Sequence, residues 1–144
     1  MKKTVPSSFL TRFHTLMIYS GKGGVHKNGL ACHISSAALI LGARLHLIEV
    51  DKQSLLADLF PDICTNVHLP GAADLAAKSA ADIAKLNVLF EAMTSDDHDL
   101  FACEIGAGYE GAVMEAIVRS GLAGNVGDLS SIALIIPFTS SDDR

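Results

Sequence analysis

Residues 20–29, SGKGGVHKNG, contain four glycines and two lysines between the apolar run LMIY and a stretch of apolar residues at helical spacing. A glycine loop between a strand and a helix presents free backbone N–H groups and a helix N-terminus to an anion. Lys27 adds a full positive charge at the start of the predicted helix. The stretch therefore predicts a phosphate-binding loop.

The loop matches the general phosphate-loop pattern GxxxxGK[ST] at only part of its positions. Gly21 and Lys27 agree with it, whereas His26 replaces the second glycine and Asn28 replaces the hydroxyl residue. If His26 adopts the left-handed conformation that glycine usually supplies, the strain costs on the order of 1 kcal/mol. The amide of Asn28 is a weaker ligand for a hard cation. Two alternatives stay open: a glycine-rich turn that only connects two elements, and a weak GxGxxG dinucleotide fingerprint with His26 in its third glycine position.

Two acidic residues follow apolar strands and come directly before, or close to, a loop. Asp51 directly follows the predicted strand RLHLIEV, and Glu104 lies near the end of LFACEI, beside the glycines of GAG at 106–108. Ligands of open parallel sheets bind at the carboxyl ends of the strands. We therefore interpret Asp51 and Glu104 as functional residues and Glu49 as structural, with a merely polar strand end as the alternative for Glu49 and Asp51.

The apolar pattern alternates between strand-like and helix-like segments along the chain. Strands are predicted at 14–20, 44–50, 100–105 and 131–137, and helices at 30–41, 53–60, 72–93 and 110–120. This alternation is typical of βαβ units. The sequence predicts a three-layer α/β domain with a mostly parallel sheet of at least four strands.

Composition limits the function classes. The 144 residues include 49% apolar and 19% charged residues, which indicates one globular domain at 14–144 behind a flexible leader at 1–13. The net charge of −5 gives no general affinity for nucleic acid or anionic lipid. The three cysteines and six histidines lack the spacing of a metal site. Scattered cysteines without CxxC spacing fit a cytoplasmic location. The apolar runs are too short to predict a membrane segment.

Three segments together resemble a known family. GKGGVHK (21–27) resembles the deviant Walker A motif KGGVGK[ST] of the MinD/ParA ATPases, which partition plasmids and chromosomes and position division sites. EVDKQ (49–53) resembles the DxDPQ segment of that family, and HDLFACEIGAG (98–108) resembles its Walker B strand. The likeness covers about residues 14–140 and is nearest to the subfamilies of plasmid stability and conjugal transfer. It implies a P-loop NTPase-like domain.

The resemblance assigns roles to individual residues. Lys22 falls on the signature lysine that reaches the partner's phosphates in a nucleotide-sandwich dimer, and Asp51 on the aspartate that organises magnesium and the attacking water. Mg²⁺ would be held by Asn28, Asp51 and Glu104. ATP or ADP with Mg²⁺ is the implied cofactor, held weakly. The implied nucleotide-binding residues are Gly21, Gly23, Gly24, Val25, His26, Lys27 and Asn28.

The chain is shorter than members of this family, so we expect a fragment or a shortened relative. The later strands with the adenine-contacting segments, and the C-terminal DNA-binding or membrane segment, have no counterpart in it. A homodimer or a protein partner is expected to cover the exposed sheet, with an interface near residues 110–140. One hypothesis is a nucleotide-binding ParA/MinD-like protein with weak or no ATP hydrolysis. The alternative is a degenerate, non-hydrolysing P-loop module that acts as an interaction or scaffold partner.

Overall fold

The computed structural model describes residues 14–21, 23–68, 98–119 and 132–137. The predictions for the leader at 1–13, for Lys22 and for the helix at 72–93 lie outside these ranges. Within them, the chain forms the following strands and helices: β1 (Thr15–Tyr19), α1 (Lys27–Ile40), β2 (Leu45–Val50), α2 (Leu55–Leu59), β3 (Cys64–Asn66), β4 (Leu100–Ile105), α3 (Glu110–Arg119) and β5 (Ile132–Ile135).

The five strands form one sheet in the order β3-β2-β4-β1-β5, and every neighbouring pair is parallel. The predicted α/β class, with a mostly parallel sheet of at least four strands, is therefore confirmed. Strand β3 was not predicted, because three residues of mixed polarity carry too short an alternation to be recognised.

Side chains of the strands alternate between two apolar layers. Leu16 and Ile18 of β1 belong to one buried cluster, together with Ala31 of α1 and Leu56 of α2. Met17 belongs to the other cluster, which includes Ala112 and Val113 of α3. Helices thus cover both faces of the sheet, which makes the domain three-layered.

Helix α1 is confirmed, but its large apolar residues do not form its buried face. Small side chains and Lys27 form the buried stripe, whereas Leu39, Ile40 and Leu41 at its end are exposed. The small residues let the helix approach the sheet closely. Gly42, at φ 80°, takes the left-handed conformation expected just beyond a helix end.

β1 and β4 are neighbouring strands, and the connections that follow them run to opposite faces of the sheet. The connection after β1 runs through α1 on one face towards β2, and the loop after β4 leads into α3 on the opposite face. Such a divergence leaves a crevice at the carboxyl ends of the two strands, which is where open parallel sheets bind ligands. Within the described ranges, no helix combines the length and apolar character that crossing a membrane requires.

Candidate functional site

The glycine loop follows β1 directly and ends in a strained residue. His26 has φ 58° and ψ 32°, so the left-handed conformation considered from the sequence is present. His26 is also the N-cap of α1, and its backbone oxygen accepts the first helical hydrogen bond from the Leu30 N–H at 2.9 Å. Its side chain caps no backbone N–H and is exposed. Gly24, at φ 76°, also has a positive φ.

The remaining residues of the loop divide between surface and interior. Gly21, Gly23 and Gly24 are exposed, whereas Val25 is buried in the protein. Asn28 follows Lys27 in the first turn of α1 and is half-buried. The three glycines therefore present backbone to the outside, as an anion cradle requires, although the side chain of His26 is exposed as well.

Lys27 is the first residue of α1 and is only 6% exposed. A buried ammonium group is costly unless negative charge lies nearby. The positive charge of Lys27 lowers the pKa of Glu104 against the larger effect of burial, so the two side chains are close enough to interact. Lys27 thus connects the start of α1 with the carboxyl end of β4.

Glu104 is fully buried, in register with Ile18 of β1 and with Glu49 of β2. Neither of its carboxyl oxygens has a hydrogen-bond partner among the residues described. Burial raises the pKa of Glu104 to about 7; Lys27 opposes this rise, and Asp51 and Glu49 add to it. A carboxyl group in this position is stabilised either by a proton or by a cation.

Asp51 lies where the loop after β2 meets the loop after β4. One carboxyl oxygen accepts the Gln53 N–H at 3.2 Å. The other lies against Gly106: a Cβ added there would be 2.6 Å from Asp51 Oδ2 and 2.9 Å from the Val50 oxygen. The Gly106 N–H donates to that same Val50 oxygen at 2.8 Å. Only glycine permits this close approach of the two loops.

Glu49 has the structural role assigned to it from the sequence. Its carboxylate accepts the N–H groups of Leu56 at 3.1 Å and Ala57 at 3.2 Å, both in the first turn of α2. The side-chain amide of Asn66 donates a third hydrogen bond at 3.2 Å. Glu49 therefore replaces the side-chain N-cap that Ser54 does not provide.

Two residues near the predicted site carry no motif and were missed from the sequence. Asn66 ends β3, which was itself not predicted. Glu110, at the start of α3, has a buried Oε1 without a hydrogen-bond partner in the described part of the chain, and the Cβ position of Gly21 lies 3.7 Å from it. An acidic residue in the first turn of a helix is usually explained by the helix dipole alone, so its sequence position gave no functional signal.

The structure therefore brings Lys27, Asp51 and Glu104 into one electrostatic group beside the glycine loop. The orphaned carboxylate of Glu104 and the exposed backbone of the loop fit a cation together with a phosphate group. Among the described residues, no three or more His, Cys, Asp or Glu side chains are arranged to hold a metal ion. The metal set of Asn28, Asp51 and Glu104, with one amide and two carboxylates, stays a prediction, as does the role of Lys22.

Two cysteines near this site, Cys64 and Cys103, have thiols with raised pKa values. Burial raises the pKa of Cys64 to about 12, and Glu49 and Glu104 add to the rise. Burial likewise raises the pKa of Cys103, which is fully buried and directly precedes Glu104 in β4. Thiols with raised pKa values are poor nucleophiles at neutral pH, so these two cysteines are interpreted as packing residues.

Comparison of the chain with models of protein families, with curated proteins and with solved structures found no match. The resemblance to the MinD/ParA ATPases therefore depends on the three motifs and on their relative positions.

Proposed function

We propose that the chain is a nucleotide-binding protein of the ParA/MinD type, with weak or no ATP hydrolysis. The observation that carries the proposal is a glycine loop followed by a buried lysine, Lys27, which interacts with a buried carboxylate at the carboxyl edge of a parallel sheet. Backbone N–H groups and Lys27 supply the positive potential that a phosphate chain needs.

Magnesium, when bound, would neutralise charge on the phosphates, and Asp51 and Glu104 are the residues suited to hold it. The oxygens of Glu104, which have no hydrogen-bond partner in the described part of the chain, support this assignment. Weak hydrolysis follows from the loop itself. Asn28 provides no hydroxyl ligand, and His26 strains the backbone at the helix start. Poor placement of the cation lowers turnover before it lowers binding.

The alternative, a non-hydrolysing module that binds a protein partner, is favoured by one specific observation. Burial raises the pKa of Glu104; the positive charge of Lys27 opposes this rise, and the carboxylates of Asp51 and Glu49 add to it. In the nucleotide-free chain, Glu104 therefore already lies close enough to interact with the charge of Lys27. A phosphate must compete with Glu104 for it.

Calorimetric titration with ATP and ADP, each with and without magnesium, tests the proposal. We expect binding to the parent chain and at least about a tenfold loss of affinity in Lys27→Ala, because a charged donor contributes roughly 1.5–3 kcal/mol. Lys52→Ala, which removes an exposed lysine from the neighbouring loop, is the matched control and should retain affinity. No heat and no thermal shift with any nucleotide would favour the interaction module.

Lys22 is expected to act only in a dimer. Lys22→Ala should leave ADP affinity unchanged and reduce ATP-dependent dimerisation or turnover. Sedimentation with ATP and with ADP measures dimerisation, and phosphate release measures turnover. Equal losses of ADP affinity in Lys22→Ala and Lys27→Ala would contradict this division of roles.

A further inference from the structure

The loop after β2 is held by a side chain from the neighbouring strand. The side-chain amide nitrogen of Asn66 lies 3.0 Å from the backbone oxygen of Gln53 and 3.4 Å from the backbone oxygen of Asp51. It also lies 3.2 Å from the carboxylate oxygen Oε2 of Glu49. An amide group has two N–H donors, so with three acceptors both N–H groups are used and one of them is shared between two acceptors. Asn66 thus links two loop carbonyl groups with one buried carboxylate.

Glu49 gives this link a fixed anchor. It is fully buried, in register with Asn66 on β3, and it also accepts two backbone N–H groups at the start of α2. A buried carboxylate with three donors is costly to displace, because each lost hydrogen bond leaves charge unsatisfied. The segment at 51–54 is therefore fixed at its beginning by Asn66 and at its end by α2.

The backbone of this segment determines where the Asp51 carboxylate lies. Asp51 Oδ1 accepts the Gln53 N–H, so a shift of Gln53 moves the carboxylate. On its other side, Asp51 Oδ2 lies only 2.6 Å from where a Cβ on residue 106 would be, so the carboxylate packs in the space that Gly106 leaves free. We propose that Asn66 is a positioning residue, whose amide holds the loop carrying Asp51 in place with Glu49 as its buried anchor.

The inference rests on the proposed function for the meaning of Asp51, but the geometry that it asserts can be measured without nucleotide. Hydrogen exchange of backbone amides, followed by NMR on the full chain, reports the Gln53 N–H directly. In Asn66→Ala, we expect faster exchange at Gln53, whereas the Phe101 N–H, which donates to His14 at the start of β1, keeps its protection. Thr65→Ala is the matched control on the same strand, and it should leave Gln53 unchanged.

The second measurement is the gain in ATP affinity caused by magnesium. Removing a group that orients a metal-binding carboxylate typically costs about 10–100-fold in metal affinity. Asn66→Ala should therefore lose about tenfold or more of the magnesium-dependent gain. Its affinity for ADP without metal should change by less than about twofold, because the glycine loop is untouched. A merely structural defect would lower both affinities together.

The two measurements distinguish a failure of the proposed function from a failure of the positioning role of Asn66. If the parent chain binds no nucleotide, the proposed function fails, and the exchange rate of Gln53 still decides the role of Asn66. Unchanged exchange at Gln53 in Asn66→Ala overturns the positioning role, as does an equal change in Thr65→Ala. If Asn66→Ala does not fold, Asn66→Ser replaces it: its shorter hydroxyl cannot reach Glu49 and both carbonyl groups, so the same local loss of protection is expected.

Discussion

The backbone at His26 is the clearest feature at the scale of single residues. A left-handed histidine at the N-cap of α1 stands where the phosphate-loop pattern has glycine. Left-handed conformation costs roughly 1–2 kcal/mol for a residue with a Cβ atom. The backbone at His26 therefore has a conformation that glycine adopts with less strain.

His26→Gly should stabilise the chain by up to about 1 kcal/mol, since the relieved strain exceeds the roughly 0.5–1 kcal/mol lost to the added freedom of the unfolded chain. Denaturant unfolding measures the change. Two controls isolate the backbone effect. Gly24→Ala, at φ 76° with no atom within 4 Å of the new Cβ, should destabilise by about 1 kcal/mol. Gly23→Ala, with equal space and no positive φ, should be near neutral.

The double change His26→Gly with Asn28→Thr should strengthen binding of Mg·ATP, because it restores backbone freedom and the hydroxyl ligand together. Calorimetry in the presence of magnesium measures the gain, which should vanish when the metal is chelated. His26→Gly alone is the control for the backbone contribution. A repaired loop that binds no better than the parent would mean that the cradle is lost for another reason.

Glu104 should make stability fall as pH rises. Its pKa is raised from 4.5 to about 7, so its contribution is fully present below about pH 4.5 and is lost as pH rises through about 7. The loss amounts to about 3 kcal/mol at most. Burial lowers the pKa of His46, which makes stability rise with pH instead. The parent must therefore be compared with Glu104→Gln, which retains His46 and lacks only the carboxyl group. Asp58→Asn, an exposed change, is the control.

Unfolding free energies at pH 5 and pH 8 check this prediction. Glu104→Gln should be more stable than the parent at pH 8 by more than it is at pH 5. The same difference at both pH values would show that Glu104 is not the titrating group.

At the scale of elements, the site depends on two loops that meet after β2 and β4. Gly106 joins them, since its N–H bonds to Val50 and its α-carbon lies against Asp51. The amino ends of the same two strands are joined separately. Arg44 and Asp99 form an ion pair at 2.9 Å, and His46 lies 3.2 Å from His98 between ring nitrogens. The pairing of β2 with β4 is thus supported at both ends.

Gly106→Ala should destabilise the chain by about 1–3 kcal/mol, because the new Cβ would overlap the Asp51 carboxylate and the Val50 carbonyl group. It should also displace Asp51 and remove the magnesium-dependent part of nucleotide affinity. Thermal unfolding and calorimetry measure the two effects. Gly111→Ala in α3, where no atom lies within 4 Å of the new Cβ, should instead stabilise by up to about 1 kcal/mol.

At the scale of the whole molecule, the described surface carries exposed apolar side chains on β5, just after β5 and on α3. Leu134 is 57% exposed and Ile136 is 53% exposed, and Met114 of α3 is 54% exposed. All three fall within residues 110–140, where the sequence predicted a dimer interface. Edge strands with apolar side chains favour pairing with another chain.

Sedimentation at high micromolar concentration should show a dimer of the parent chain. Leu134→Glu should give a monomer, since burying an unpaired charge at an interface is costly. Leu59→Glu, at a residue of α2 that is 63% exposed and outside the predicted interface, should remain dimeric. A monomeric parent, or equal dissociation of both variants, would contradict the predicted interface.

Local pattern alone was enough to predict the class of this protein and the positions of most of its described elements. The glycine loop, the helix after it, the strand ending near Asp51 and the strand carrying Glu104 all lie where the sequence indicated. These features are local, because the conformations of glycine, apolar periodicity and helix ends depend on residues a few positions apart.

Only the tertiary structure decided which residues meet across strands. The short strand β3 brings Asn66 beside Glu49, and the strand order brings Glu49 beside Glu104 in the same row. That row makes Glu49 an anchor for α2 and leaves Glu104 without a hydrogen-bond partner among the described residues. Parallel strands are joined by long connections, so their order and register follow from packing of whole layers, which neighbouring residues in the sequence do not determine.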